Sequence, residues 1–177
     1  MRFSVDEIAP EPWKNGRGTT RELAQRLVHG QMLWRLSFAD ITQDGAFSRF
    51  PGLSRIHTIA TGRGLTLRGA SGEYTAQPHK PVEFDGGLSL DATLTDGPCQ
   101  AFNVIFDPQF VQAKARVVQA GTIDVECKEN VLFVLSGQLG MGPLGTFEQH
   151  QGLVSDAPAT GTLSDGGVVL QISFAPV

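Results

Sequence analysis

The chain has 177 residues, a formal net charge of −4 and 41% apolar residues, enough for the interior of one large domain or two small ones. No run of eighteen apolar residues occurs, and the opening MRFSVDEIAPEPW carries acids and prolines where a signal peptide needs an apolar stretch. These features exclude a wholly disordered chain, and we expect a soluble, cytoplasmic protein without a membrane partner.

Charge is divided unevenly along the chain. Residues 1–70 carry ten basic and six acidic side chains, whereas residues 71–177 carry four basic and twelve acidic ones. We expect no nucleic-acid partner, because an acidic protein neutralises phosphates poorly. A basic half on an acidic protein favours a local site for a small anion, although arginines spread over a solvated surface give the same composition.

Short runs that alternate apolar and polar residues follow one another in chain order. They include RFSVDEI, LWRLSFADIT, RIHTIA, AFNVIF, VLFVL and VVLQISF, with glycine and proline clustered between them. This pattern predicts an all-β sandwich or barrel. The segment TTRELAQRL comes nearest to a helical pattern and is ambiguous.

Two segments share a layout that indicates an internal duplication. IHTIATGRGLTLRG (56–69) and VLFVLSGQLGMG (131–142) each have an apolar strand, a small residue with glycine, and a second short strand. We predict two β-barrel lobes, residues 1–108 with the ligand cavity and residues 109–177. Chance similarity between two glycine-turned hairpins is the alternative.

The segment PWKNGRGTTREL (12–23) is dense in hydrogen-bond donors. It is neither a Walker loop, because its lysine precedes the glycines, nor a dinucleotide fingerprint. Gly16 and Gly18 predict a tight turn whose donors suit a carboxylate. Alternatively, the tryptophan plugs a barrel end and the rest is a polar turn. The candidate ligand-binding residues here are Trp13, Lys14, Asn15, Thr20 and Arg21.

A second dense stretch covers residues 34–59. In WRLSFA, alternation puts Arg35 and Ser37 on the face opposite Trp34, and either a cavity or solvent lies on that side. On a later strand Arg55 and His57 share a face, although a lone histidine is more often structural than a ligand. The two phenylalanines of DGAFSRFPG need burial, against the core or over a ligand. We add Arg35, Ser37, Arg55 and His57 to the candidate ligand-binding residues.

Metal and nucleophile chemistry have little support in the sequence. The four histidines form no His-x-His pair, and no Gly-x-Ser-x-Gly occurs. Cys99 and Cys127 lie in apolar surroundings typical of buried free thiols. We therefore predict no metal, no other cofactor and no catalytic residue, while carboxylate pairs for acid–base chemistry stay open.

These segments together resemble the HutD/Ves family. PWKNGRGTTREL, WRLSFADITQDGAFSRFPGLSR, TGRGLTLRG and PVEFDGGLSLDATLTDGPCQAFNVIFD follow in the family's order over about residues 8–107. The resemblance implies a bicupin, in which two cupin-like double-stranded β-helix (jelly-roll) lobes share one chain. The chain has Arg17 and Ser54 where the family usually has glycine and aspartate, so Arg55 loses a carboxylate that would orient it.

The resemblance also implies a function. Family members lie in bacterial histidine-utilisation gene clusters, where they are thought to bind an acidic intermediate such as N-formylglutamate and to limit flux or expression. We therefore expect a metal-independent protein that senses or buffers a small acidic, formylglutamate-like metabolite. The alternative is a metal-dependent cupin enzyme, an isomerase or dioxygenase, that uses His57 on a small carboxylate. Whether the protein forms a homodimer is left open.

Overall fold

The structure, a computed structural model, describes residues 1–125 and 129–177. These residues form nineteen β-strands and two short 3-10 helices, Val5–Glu7 and Gly142–Leu144, and the described ranges contain no α-helix. The all-β prediction is confirmed. No described helix is long and apolar enough to cross a membrane. Cys99 is a buried free thiol whose pKa burial raises to about 11, whereas Cys127 lies outside the described residues.

The chain forms two compact units, Ile8–Val111 and a second that joins Met1–Glu7 to Gln112–Val177. The first seven residues belong to the second unit because strand β1 (Arg2–Ser4) pairs with a strand near the end of the chain. The predicted lobes, 1–108 and 109–177, stay a prediction.

The Ile8–Val111 unit contains two antiparallel sheets. Its strands are β2 (Glu11–Pro12), β3 (Gly18–Val28), β4 (Gln31–Ile41), β5 (Gly45–Ala46), β6 (Ser54–Thr61), β7 (Leu65–Gly69), β8 (Gly72–Ala76), β9 (Val82–Asp85), β10 (Asp91–Leu94) and β11 (Cys99–Phe106). A six-stranded sheet has the order β2-β3-β4-β11-β6-β9, and a four-stranded sheet has the order β5-β10-β7-β8. Ile59 and Ala101 from the first sheet share one core with Leu65 and Leu67 from the second.

The second unit repeats this design. Its strands, besides β1, are β12 (Val111–Val118), β13 (Thr122–Val125), β14 (Asn130–Ser136), β15 (Gln138–Gly140), β16 (Thr146–Glu148), β17 (Gln151–Ser155), β18 (Ala159–Leu163) and β19 (Val168–Pro176). They form a five-stranded sheet, β1-β17-β14-β19-β12, and a four-stranded sheet, β13-β18-β15-β16. Val134 and Val169 from the first sheet share a core with Leu139 and Phe147 from the second.

The two units have the same strand order. The run β4-β11-β6-β9 corresponds to β12-β19-β14-β17, and β5-β10-β7-β8 corresponds to β13-β18-β15-β16. Asn103 lies opposite His57, and Gln171 lies opposite Leu132. In both pairings the register shifts next to the residue two positions earlier in the chain. That residue is Ala101 before Asn103 and Val169 before Gln171. The register therefore places Asn103 and Gln171 at equivalent positions.

Candidate ligand-binding cavity

A cavity of about 570 Å³ lies within the Ile8–Val111 unit. Strands β2, β3, β4, β6 and β11 of the six-stranded sheet line it, together with residues 13–15 and 47–50. Seven of the nine predicted ligand-binding residues line this cavity: Trp13, Lys14, Asn15, Thr20, Arg35, Ser37 and Arg55. The other two, Arg21 and His57, do not.

Strand β4 supplies one wall through the alternation of its side chains. Arg35 and Ser37 line the cavity, whereas Trp34 and Leu36 are buried on the opposite face of the strand. The polar positions of WRLSFA are shielded as well as the apolar ones, because Ser37 is buried and Arg35 is half-buried on the face opposite Trp34 and Leu36. Ser37 is only 3% exposed, which places it at the floor of the cavity.

Arg55 and Asn103 form the polar centre of the floor. The guanidinium of Arg55 donates from Nε (3.1 Å) and Nη2 (2.6 Å) to the amide oxygen of Asn103. Its Nη1 points to the carbonyl oxygen of Ser48 at 3.5 Å, and the ring centroid of Phe47 lies 4.0 Å from the guanidinium carbon. All of these partners are uncharged. Asn103 thus orients Arg55 through a neutral amide oxygen.

The charge of Arg55 is poorly compensated. The side chain is buried, and none of the described carboxylates lies within ion-pair distance of it. Burial, together with a smaller contribution from the positive charge of Arg35, lowers the pKa of Arg55 from its usual value to about 9. Both causes act against the charged form, so an anion in the cavity would be attracted to this position.

His57 lies behind Asn103 and supports it. Its Nδ1 is 2.8 Å from the Asn103 amide oxygen, and because that oxygen can only accept, Nδ1 carries the proton. Its Nε2 is buried without a hydrogen-bond partner in the described part of the chain. Burial and, to a smaller extent, the charge of Arg55 lower the pKa of His57 to about 3, although the hydrogen bond to Asn103 acts in the opposite direction. His57 is therefore neutral near pH 7, and it does not line the cavity.

The loop 12–18 forms the rim. The indole Nε1 of Trp13 donates to the Thr20 hydroxyl at 2.7 Å, and the Trp13 ring covers Gly18, where a Cβ would lie 3.1 Å from the ring and 2.3 Å from the Asp40 carbonyl oxygen. Lys14 and Asn15 are exposed at the opening. The loop is thus a packed structural turn and also one side of the cavity mouth.

Arg21 lies on the other face of β3. Its Nη1 is 2.6 Å from the Asp40 carboxylate, and its Nε donates to the carbonyl oxygen of Ile8 at 3.1 Å. Burial would raise the pKa of Asp40, but hydrogen bonds from Gln100, Arg21 and Thr19 and the charge of Arg21 together lower it. The structure therefore does not bring Arg21 together with Arg35 and Arg55, and gives it a structural ion pair instead.

Arg35 is the second cation of the cavity and has a loose partner. Its Nη1 is 3.6 Å from the Glu22 carboxylate, and Glu22 also lines the cavity. The Nε of Arg35 is buried with no hydrogen-bond partner in the described residues. This nitrogen is an unsatisfied buried donor, which is uncommon in folded proteins.

Asn103 and Glu22 were not predicted from the sequence, and the role of the two phenylalanines at this site was left open. Asn103 was missed, although it is the one strongly polar residue in the apolar run AFNVIF, which is the signal of a buried polar role. Glu22 was missed because alternation alone does not place it beside Arg35. Phe47 and Phe50 line the cavity, and Phe47 packs under Arg55, which ties the two phenylalanines of DGAFSRFPG to this site.

The residues around His57 do not suit a divalent metal. The Arg55 guanidinium shares the Asn103 oxygen with His57, so a cation there would meet a positive charge. Among residues 1–125 and 129–177, no three histidine, cysteine, aspartate or glutamate side chains are grouped so that they could hold a metal ion.

Comparison with known proteins identifies the family. A family model described as HutD matches residues 5–170. The chain belongs to the HutD family. Protein Ves from Citrobacter koseri is 32% identical over 147 residues, which cover 79% of this chain and 75% of that protein. The resemblance to the HutD/Ves family is confirmed.

Solved structures show the same fold. HutD from Pseudomonas fluorescens SBW25 is 26% identical with a TM-score of 0.87, covering 100% of this chain and 98% of that one. A conserved protein of unknown function from Pseudomonas aeruginosa PAO1 is 26% identical with a TM-score of 0.89, covering 98% and 97%. A cupin 2 conserved barrel domain protein from Leptotrichia buccalis, 8% identical with a TM-score of 0.60, covers 100% of this chain and 96% of its own. The HutD-family fold of this chain is therefore cupin-like.

Proposed function

We propose that this HutD-family protein is a metal-independent binder of a small acidic metabolite, which it senses or buffers in histidine utilisation. The ligand binds in the cavity of the Ile8–Val111 unit. One observation carries the proposal: the buried guanidinium of Arg55 faces the cavity, and its hydrogen-bond partners are all neutral. A ligand carboxylate supplies the missing negative charge.

Two cations converge on the same space. A carboxylate between Arg55 and Arg35 would satisfy the Nε of Arg35, and Ser37 is a hydroxyl donor on the same floor. Charge-assisted hydrogen bonds contribute about 1.5–3 kcal/mol each, so two or three of them support binding in the micromolar range. The exposed Lys14 and Asn15 at the mouth add contacts to a second polar group.

The cavity size and the family support a formylglutamate-like ligand. A volume of about 570 Å³ falls in the range of small-molecule pockets. The related P. fluorescens protein carries the name HutD, and the family resemblance implies an acidic intermediate of histidine breakdown. A dicarboxylate would reach from the buried Arg55 to the exposed rim.

A bicupin architecture fits the same proposal. The eight strands β4–β11 and the eight strands β12–β19 pass through their two sheets in the same order, and this repetition supports two cupin lobes in one chain. We place the acidic ligand in the first of them.

The decisive variant is Asn103→Asp. Aspartate keeps an oxygen acceptor for Arg55 and His57, and it adds the negative charge that the ligand would otherwise supply. We expect calorimetry to show binding of N-formylglutamate to the unmodified protein, and Asn103→Asp to weaken it by about tenfold or more, roughly 1.4 kcal/mol, with the fold retained. Gln112→Glu, an equal charge change at an exposed position of the other unit, serves as the control.

Three results would count against the proposal. Equal affinity of Asn103→Asp and the unmodified protein would remove Arg55 from the binding site. An absence of heat with N-formylglutamate, formiminoglutamate, urocanate and glutamate would reject the ligand class. A stoichiometric metal in protein purified without chelator, measured by elemental analysis, would favour the enzyme alternative.

A further inference from the structure

A second polar cavity lies in the unit formed by Met1–Glu7 and Gln112–Val177, with a volume of about 450 Å³. Strands β12, β14 and β19 border it, and these correspond to β4, β6 and β11, which line the first cavity. Its polar side chains are Lys114, Arg116, Asp124, Asn130, Gln171 and Ser173. The two cavities therefore occupy equivalent places in the repeated strand order.

In each of the two cavities, a buried amide side chain accepts a hydrogen bond from an arginine. Gln171 is 7% exposed, and its amide oxygen accepts a hydrogen bond from Nε of Arg116 at 2.9 Å. Its amide nitrogen donates to the carbonyl oxygen of Asp124 at 3.3 Å. Gln171 occupies the position equivalent to Asn103, although the arginine it orients is on β12 and not on β14, the equivalent of β6. A buried amide whose two ends are engaged fixes the direction of the cation beside it.

The charges around this cavity are of both signs and are not paired with each other. Among the described residues, Lys114, Arg116 and Asp124 form no ion pair. One carboxylate oxygen of Asp124 accepts from the Thr160 hydroxyl at 3.1 Å, which orients the carboxylate. A molecule with a positive and a negative group would interact with both sides at once.

We propose that this cavity is a second binding site, specific for a small zwitterion such as a free α-amino acid. The carboxylate of the ligand binds Arg116 and Lys114, and its ammonium group binds Asp124, while Ser173 provides a hydroxyl. The first cavity differs because its deepest charged group, Arg55, has no carboxylate of the described residues within ion-pair distance, although Glu22 lines that cavity beside Arg35. Lys114 and Arg116 are exposed, so binding here is weaker than at Arg55 and more sensitive to salt.

Residue-resolved NMR separates the two sites. In an amide titration of the full chain with glycine up to about 10 mM, enough to populate a millimolar site, we expect saturable shifts at Arg116, Gln171 and Ser173. Acetate and ethylamine, which carry one charge each, should bind there about tenfold more weakly. Signals of Ser37 and Asn103 report the first cavity independently, so failure at one site does not imply failure at the other.

Variants of exposed residues complete the test. Arg116→Gln should weaken the glycine response about tenfold, and Arg63→Gln, whose side chain is 76% exposed on the other unit, should leave it unchanged. The zwitterion assignment is overturned if acetate or inorganic phosphate binds as well as glycine. The site itself is overturned if no probe shifts these signals, or if Arg116→Gln responds like the unmodified protein.

Discussion

Arg55 carries the buried charge of the first cavity. Moving a cation out of water costs several kcal/mol, and the neutral amide of Asn103 together with the Phe47 ring offsets only part of this cost. Under the proposed function, a bound anion offsets the rest of this desolvation cost. The same proposal implies that the ligand-free protein is less stable than it would be with a neutral residue at position 55.

His57 makes the stability of the fold depend on acid pH. Its folded pKa of about 3 is below its usual 6.5, so between these values the unfolded chain takes up a proton that the folded chain does not. Stability from this group is complete above pH 6.5 and decreases as the pH falls, by about 1.4 kcal/mol per unit at most. Urea denaturation from pH 7 to pH 4 measures this slope.

The variant His57→Leu isolates that contribution. Leucine occupies the equivalent position 132 of the second unit, so the strand order tolerates it there. We expect His57→Leu to unfold with a shallower dependence on pH than the unmodified protein, because the other titrating groups are common to both. Parallel pH profiles would show that His57 takes up its proton at the same pH in the folded and the unfolded chain, which would contradict a lowered pKa.

At the scale of elements, β3 shows how pairing overrides local propensity. TTRELAQRL is ambiguous as a sequence, but it forms a strand because it pairs with β4 along its whole length. Thr20 and Glu22 then face the cavity, whereas Thr19 and Arg21 face Asp40. The sequence indicates which donors are present but not which of them share a face, since register shifts interrupt this pairing.

Arg21→Ala tests this division of the strand. Loss of the ion pair with Asp40 and of the bond to Ile8 should lower the free energy of unfolding by about 1–2 kcal/mol, since the pair is only partly exposed. Ligand affinity should be unchanged, because Arg21 lies on the face away from the cavity. Calorimetry and urea denaturation of the same sample give both values, and a tenfold loss of affinity would contradict the assigned face.

At the scale of the molecule, the repeating pattern of short strands and glycine turns predicts the all-β class without any long-range information. The family motifs add the cupin-like fold, and the alternation of WRLSFA places Arg35 and Ser37 together. Asn103 and Gln171 could not be assigned as partners of arginines, because those contacts join strands that are 48 and 55 residues apart in the chain. The pairing of residues 1–7 with the second unit could not be predicted from the sequence either, because a single edge strand carries no signal that identifies its partner strand.

That N-terminal strand provides the last prediction. Phe3 is 6% exposed and stacks on Phe133 with ring centroids 6.2 Å apart, and a Cβ on Gly152 would lie 2.2 Å from its ring. The unit built from residues 112–177 is thus completed by a side chain from the start of the chain.

Phe3→Ala should lower the free energy of unfolding by about 3 kcal/mol, as expected for a buried aromatic residue. Val177→Ala, at a position of the same unit that is 70% exposed, should change it by less than about 0.5 kcal/mol. In urea denaturation followed by NMR, the signals of β14 and β17 should be lost at lower urea in Phe3→Ala than in the unmodified protein. Unchanged midpoints for those strands would show that the N-terminal strand is dispensable to the second unit.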